Sequence, residues 1–210
     1  LAWSSAASDV YKRQDNTDGS LLFTTACVYG GPSNTLDDCG NVNAGITNGG
    51  AMAGAAYDFG NGLTAAVGYA GPETGIMTDE SLDAYGANIA YEADNYGISA
   101  TYGVQEDADG NNDVYTAVNG YYSFDNGLNI SAGYELGTIA ETNQYTDETQ
   151  AYFVGINGDV GPGELGAALG TQGSVTEEYV TGGTSKFEEE MMYEVYYDYP
   201  VNCLLYTSPS

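Results

Sequence analysis

One pattern occurs twice in this chain and dictates the kind of fold it can adopt. Tyr57 to Tyr69 reads Y-D-F-G-N-G-L-T-A-A-V-G-Y, and Tyr122 to Tyr134 reads Y-S-F-D-N-G-L-N-I-S-A-G-Y. Each copy centres on Asn-Gly, whose residues accept the positive φ that a tight two-residue hairpin loop needs. The flanks alternate strictly. Leu63, Ala65, Val67 and Tyr69 fall on one side, and Thr64, Ala66, Gly68 and Ala70 on the other. In the second copy Leu128, Ile130, Ala132, Tyr134 and Leu136 oppose Asn129, Ser131, Gly133 and Glu135. A period of two is that of strands with one apolar face and one small or polar face.

The same alternation extends over most of the chain. It predicts hairpins from 51–58 with 63–71, 84–92 with 97–105, and 114–124 with 128–137. A fourth pairs 151–160 with a return through Leu165, Ala167 and Leu169, and a ninth strand covers 187–199. Leu21 to Tyr29 is a further candidate strand. Short turns fall near positions 60, 95, 126, 162 and 200, separated by long polar loops at 72–83, 106–113, 138–150 and 172–186. Short turns at one rim and long loops at the other, with strands of about ten residues, predict an all-β, antiparallel up-and-down transmembrane β-barrel. Sandwiches mix their loop lengths.

The two faces carry different chemistry. The outward set is Leu, Ile, Val, Ala, Tyr, Phe and Met, with Glu189 as the one charge, near the loop end of its strand. Such a face suits outer-membrane lipid. Tyr57, Tyr69, Tyr91, Tyr122, Tyr134, Tyr197 and Tyr199 lie toward strand ends and are expected beside the short turns, as an aromatic girdle with hydroxyls among headgroups. Tyrosine is also simply a good strand former.

The opposite face holds Asn88, Glu92, Ser99, Thr101, Asn119, Asn129, Ser131 and Glu135, then Glu190, Glu194 and Asp198, spaced by Gly and Ala. These are the expected pore-lining residues of a wet lumen, whose carboxylates would favour cations. A solvated sheet face predicts the same residue types.

Charge narrows the partners. The chain has 30 acidic and 3 basic residues, a net charge of −27 and no histidine. Nucleic acid and anionic lipid headgroups are excluded as partners, because both require lysine and arginine. Without histidine no Ser/His or Cys/His catalytic pair can form, so no enzyme, cofactor or metal centre is expected. Cys27 and Cys39 flank a Gly-, Pro- and Asn-containing loop. They are read as a disulfide, which implies an oxidising compartment; two buried thiols are the alternative. Gly161 to Gly166 matches G-x-G-x-x-G, but proline occupies the loop and no helix follows. Asp107 to Asp113 resembles a calcium loop with glycine placed too early and Val118 at position twelve, so it reads as an ordinary acidic loop.

Residues 1–14 and 203–210 differ in composition from the rest and read as adapter-derived sequence, leaving 15–202 as a barrel fragment. The runs D-C-G-N-V-N-A-G, G-A-A-Y-D-F-G-N-G-L-T-A-A-V-G-Y, Y-S-F-D-N-G-L-N-I-S-A-G-Y and E-V-Y-Y-D-Y-P-V-N resemble the C-terminal barrel of cyanobacterial outer-membrane porins of the carbohydrate-selective (OprB-type) family. The resemblance implies a barrel of about 16 strands, of which nine or ten are present here. It also implies a homotrimer in the full-length form and passive diffusion of ions or small hydrophilic solutes. The competing expectation is a secreted acidic β-rich binding or adhesion protein with loops that hold divalent cations weakly.

Overall fold

The computed structural model describes residues 12–13, 22–31, 36, 38–46, 51–71, 82–107, 110–140, 146–180, 183–187 and 190–199. The chain after residue 50 is a meander of antiparallel strands. They are β2 (Ala51–Asp58), β3 (Leu63–Gly71), β4 (Ala84–Glu92), β5 (Tyr96–Glu106), β6 (Asn112–Ser123), β7 (Leu128–Ala140), β8 (Thr146–Val160) and β9 (Gly163–Gly170). A two-residue strand, β1 (Lys12–Arg13), pairs with β2, and so draws part of the segment read as foreign onto the sheet. Each strand from β2 to β9 bonds to the one before it. β8 then forks: Glu148 to Gln150 pair with β10 (Ser174–Val180), whereas Phe153 to Val160 pair with β9. β11 (Gly183–Lys186) completes a hairpin with β10, and β12 (Met192–Asp198) pairs with β9. Among the described residues the sheet does not close on itself.

The fold follows the predicted alternation with four corrections. First, the Asn-Gly loops hold three residues. The Phe59 N–H bonds to the Leu63 carbonyl at 2.9 Å, and Phe124 to Leu128 at 2.8 Å, with Gly62 and Gly127 at φ of 77° and 82°. Neither Asn61 nor Asn126 has a positive φ, so glycine alone supplies the left-handed residue, as in a three-residue hairpin. Second, the loop expected over 172–186 contains β10 and β11. Its Glu-rich alternation pairs above the rim, where Lys186 bonds to Glu177. Third, β7 and β8 extend into the loop expected over 138–150, and β12 starts at Met192 rather than at 187. Fourth, 22–29 is not a strand of the sheet; it crosses the sheet's polar face.

The core lies on that same polar face. Leu22, Phe23 and Ile46 pack on Ala66, Ala70 and Ala84. Tyr29, Leu36 and Cys39 pack on Phe153, Ala168 and Tyr196, and Ala44 sits on Tyr115 and Ala117. The large apolar side chains of the other face are exposed, among them Val67, Ile89, Ile98, Val118, Val154 and Leu169.

Candidate functional site

Residues 22–31 run out across the inner face of the sheet and residues 38–46 run back, the two limbs of a strap. Strand backbones are already bonded within the sheet plane, so only inward side chains can satisfy the strap's own backbone. On the outward limb the Thr24 N–H donates to Asn88 Oδ1 at 3.0 Å, the Ala26 N–H to Ser99 Oγ at 2.8 Å, and the Val28 N–H to Ser131 Oγ at 3.1 Å. Every second residue of an extended limb faces the wall. Thr24 to Val28 spans about 14 Å, close to the three strand spacings of about 4.8 Å between β4 and β7. Beyond them Asn157 Nδ2 donates to the Val28 carbonyl at 3.3 Å.

The limb ends at Tyr29, whose ring meets Phe153 and Tyr196 edge-on at 5.2 and 5.6 Å. Its hydroxyl donates to Glu194 Oε1 at 2.9 Å. Burial first, and then that hydrogen bond, hold the Tyr29 phenol protonated well above its ordinary range.

The return limb is anchored more heavily. A disulfide joins Cys27 to Cys39 across the two limbs, with Cα atoms 6.4 Å apart. Asn119 Nδ2 donates to the Cys39 carbonyl at 2.7 Å, and Asn41 Nδ2 to Thr101 Oγ1 at 3.3 Å. The Asn43 and Ala44 N–H groups both donate to Glu135 Oε2, at 2.8 and 2.9 Å, and Asn43 Nδ2 reaches Oε1 at 3.0 Å. Gln105 Nε2 donates to the Asn43 carbonyl at 2.6 Å.

Glycines in the strands make room for this path. Gly54, Gly68, Gly86 and Gly103 are direct cross-strand partners on β2 to β5. A Cβ on Gly103 would lie 2.5 Å from the Ala44 carbonyl oxygen, and one on Gly133 would lie 1.9 Å from that of Cys39. Leu22, Phe23 and Ile46 occupy the track over the other three.

The residues expected to line a pore therefore divide. Asn88, Ser99, Thr101, Asn119, Ser131 and Glu135 share the inner face and are buried beneath the strap. Asn129 is half-buried. Glu194 accepts the Tyr29 hydroxyl, while Glu92 and Asp198 are exposed at the short-turn end of the same face. Glu190 lies just before β12, off the sheet.

The tyrosines also divide. Tyr57, Tyr91, Tyr122 and Tyr197 stand near the short turns, with Tyr199 just past β12, and Phe59 and Phe124 stack edge-on against Tyr57 and Tyr122. Tyr69 and Tyr134 belong instead to a second outward row nearer the long loops, together with their cross-strand partners Tyr85 and Tyr152. Tyr85 and Tyr91 are six residues apart, about 20 Å along the strand. Between the two rows no outward residue described carries a charge. Glu189 lies outside the described residues.

The alternation in the sequence groups the inward side chains of the strands but gives no sign of the strap. Tyr29, Asn41 and Asn43 of the strap and Gln105 of its seat gave no periodic signal, because the strap's partners are distant in sequence.

The strand register defines the class: an all-β protein whose sheet is an antiparallel up-and-down meander with an apolar outer face. No protein-family model matches the chain, and no curated protein matches it in sequence. Among solved structures it is similar to OmpT, an outer membrane protein of Vibrio cholerae folded in vitro, at 16% identity and a TM-score of 0.47. The match covers 70% of this chain and 55% of that one, and a likeness so distant carries no functional argument.

Proposed function

We propose that the chain forms part of the wall of an outer-membrane porin, through which ions or small hydrophilic solutes diffuse passively. The observation that carries this reading is the outward face. Exposed Val, Ile, Leu and Tyr cover consecutive strands without a charge between the two tyrosine rows. A patch of that extent is untenable on a monomer in water, whereas it matches the lipid-facing band of an outer-membrane barrel with its aromatic girdles. The inner face has the polar character of a lumen, and the strap across it narrows the passage. Cation preference follows from the acidic inner residues and the acidic loops at the rim. No catalytic role is proposed. The trimer and the carbohydrate-selective, cyanobacterial affinity implied by the sequence resemblance belong to the same proposal.

The test is a planar bilayer holding the full-length gene product under a potassium chloride gradient. Stepwise conductance with a reversal potential of cation-preferring sign is expected. A monodisperse product in water, without detergent and without conductance, would refute the pore and favour a secreted binding protein.

A further inference from the structure

We infer that Glu135 anchors the strap and takes no part in attracting ions, so that charge selection falls to the carboxylates exposed at the short-turn end of the inner face, Asp58, Glu92, Asp159 and Asp198. This rests on the pore reading. Glu135 is 1% exposed, and both of its oxygens are taken by N–H donors of the strap. Among the described residues no cation faces it: its cross-strand partners are Ala117 and Ala151, and Gly133 and Gly137 flank it on its own strand. Tyr115, on the neighbouring strand, bonds instead to Asp113. A buried anion held only by N–H donors makes charge-assisted bonds about twice as strong as neutral ones. A carboxylate is the side chain that can accept three such donors at once, which accounts for an acid at this point of an otherwise amide- and hydroxyl-bearing seat.

The other inner acids are differently placed. Glu194 and Glu164 accept the hydroxyls of Tyr29 and Tyr196. Asp58, Glu92, Asp159 and Asp198 lie at the last inward positions of β2, β4, β8 and β12 before the short turns, and all four are exposed. An ion passing that end can meet them directly, whereas the strap keeps it off Glu135. Near 1 M salt the Debye length is about 3 Å, so a charge sealed behind the strap is screened and only carboxylates in contact with the ion are felt.

The experiment uses the full-length product in lipid, with Glu135→Gln compared against a combined variant carrying Asp58→Asn, Glu92→Gln, Asp159→Asn and Asp198→Asn. The glutamine variant turns an N–H₂ toward N–H donors. Amide hydrogen exchange at Asn43 and Ala44 should quicken about tenfold or more, while the reversal potential near 1 M salt stays at the wild-type value. The combined variant should do the reverse, keeping strap protection and losing cation preference. If Glu135→Gln folds poorly, Asn43→Ala removes one donor and leaves the carboxylate; it should loosen the same amides without moving the reversal potential. Unchanged exchange in both anchor variants would overturn the anchor. Loss of cation preference in Glu135→Gln, or its survival in the combined variant, would overturn the division of roles. Absence of conductance from the unmutated protein would overturn the pore itself, while exchange would still decide the anchor.

Discussion

Replacing Gly133 by alanine should undock the strap and leave the sheet intact. Gly133 lies within β7 and is not among the positive-φ residues, so an alanine fits its backbone and should favour the strand by about 0.5–1 kcal/mol. The obstacle lies across the interface. The new Cβ would stand 1.9 Å from the Cys39 carbonyl oxygen and 2.3 Å from Asn119 Nδ2, the two partners of a 2.7 Å hydrogen bond. Reaching an ordinary carbon–oxygen contact requires the strap to lift by more than about 1 Å, which breaks that bond. Asn119 is 2% exposed, and its Oδ1 makes no other bond among the described residues. Leaving its amide unpaired costs about 1–3 kcal/mol. With the neighbouring strap contacts that give way, docking should weaken by about 2–4 kcal/mol, a factor of about 30–1000. Because the disulfide ties Cys39 to Cys27, both limbs share the loss. Peptide-resolved hydrogen exchange in lipid would measure it, with Gly30→Ala as control, since a Cβ there meets nothing within 4 Å. Strap peptides should exchange faster by the stated factor in Gly133→Ala alone, and β3 to β8 should keep their protection. Wild-type protection of the strap in Gly133→Ala would refute the docked arrangement.

Removing the disulfide with Cys27→Ser and Cys39→Ser opens a loop of sequence separation 12 and should cost about 3 kcal/mol. Strap exchange should then rise about a hundredfold, and a reductant should reproduce the effect in the wild type but not in the double serine variant. On the outer face, Ile89→Lys places a charge between Tyr85 and Tyr91 of the two tyrosine rows and should cost about 2–4 kcal/mol of folding stability in vesicles. Thr138→Lys, nearer the long loops on the same face, should cost only about 0–1 kcal/mol. Equal costs at the two sites, read from denaturant titrations, would contradict a lipid-facing band.

Strands were legible because their signal is local. From Leu63 to Tyr69 or from Leu128 to Leu136, each side chain's face follows from a period of two, and the paired strands agree with it residue by residue. The tyrosine rows were legible only in part. Tyr69 and Tyr134 close the repeated motif and look like turn residues in sequence, but each lies well inside a strand whose near end holds the turn. The β10–β11 hairpin was missed for a physical reason. Glu177, Glu178 and Lys186 give it the composition of a loop, and only its pairing to the start of β8 makes it sheet.

The strap was illegible for a deeper reason, and it changes what the polar face means. A small and polar inner face with interspersed glycines reads equally well as a surface for water or as a surface for another piece of chain. Two details separate the readings. Water does not require the missing Cβ atoms of Gly103 and Gly133, whereas the Ala44 and Cys39 carbonyls do. Nor does water require acceptors along a line that crosses the strands, as Asn88, Ser99 and Ser131 supply for alternate N–H groups of Thr24, Ala26 and Val28. The inner face is therefore shaped first as a seat for 22–46. In the proposed pore a solute would meet the strap's outer surface and the open carboxylates below it, and most of the wall's polar residues would act on it only through the position they give the strap.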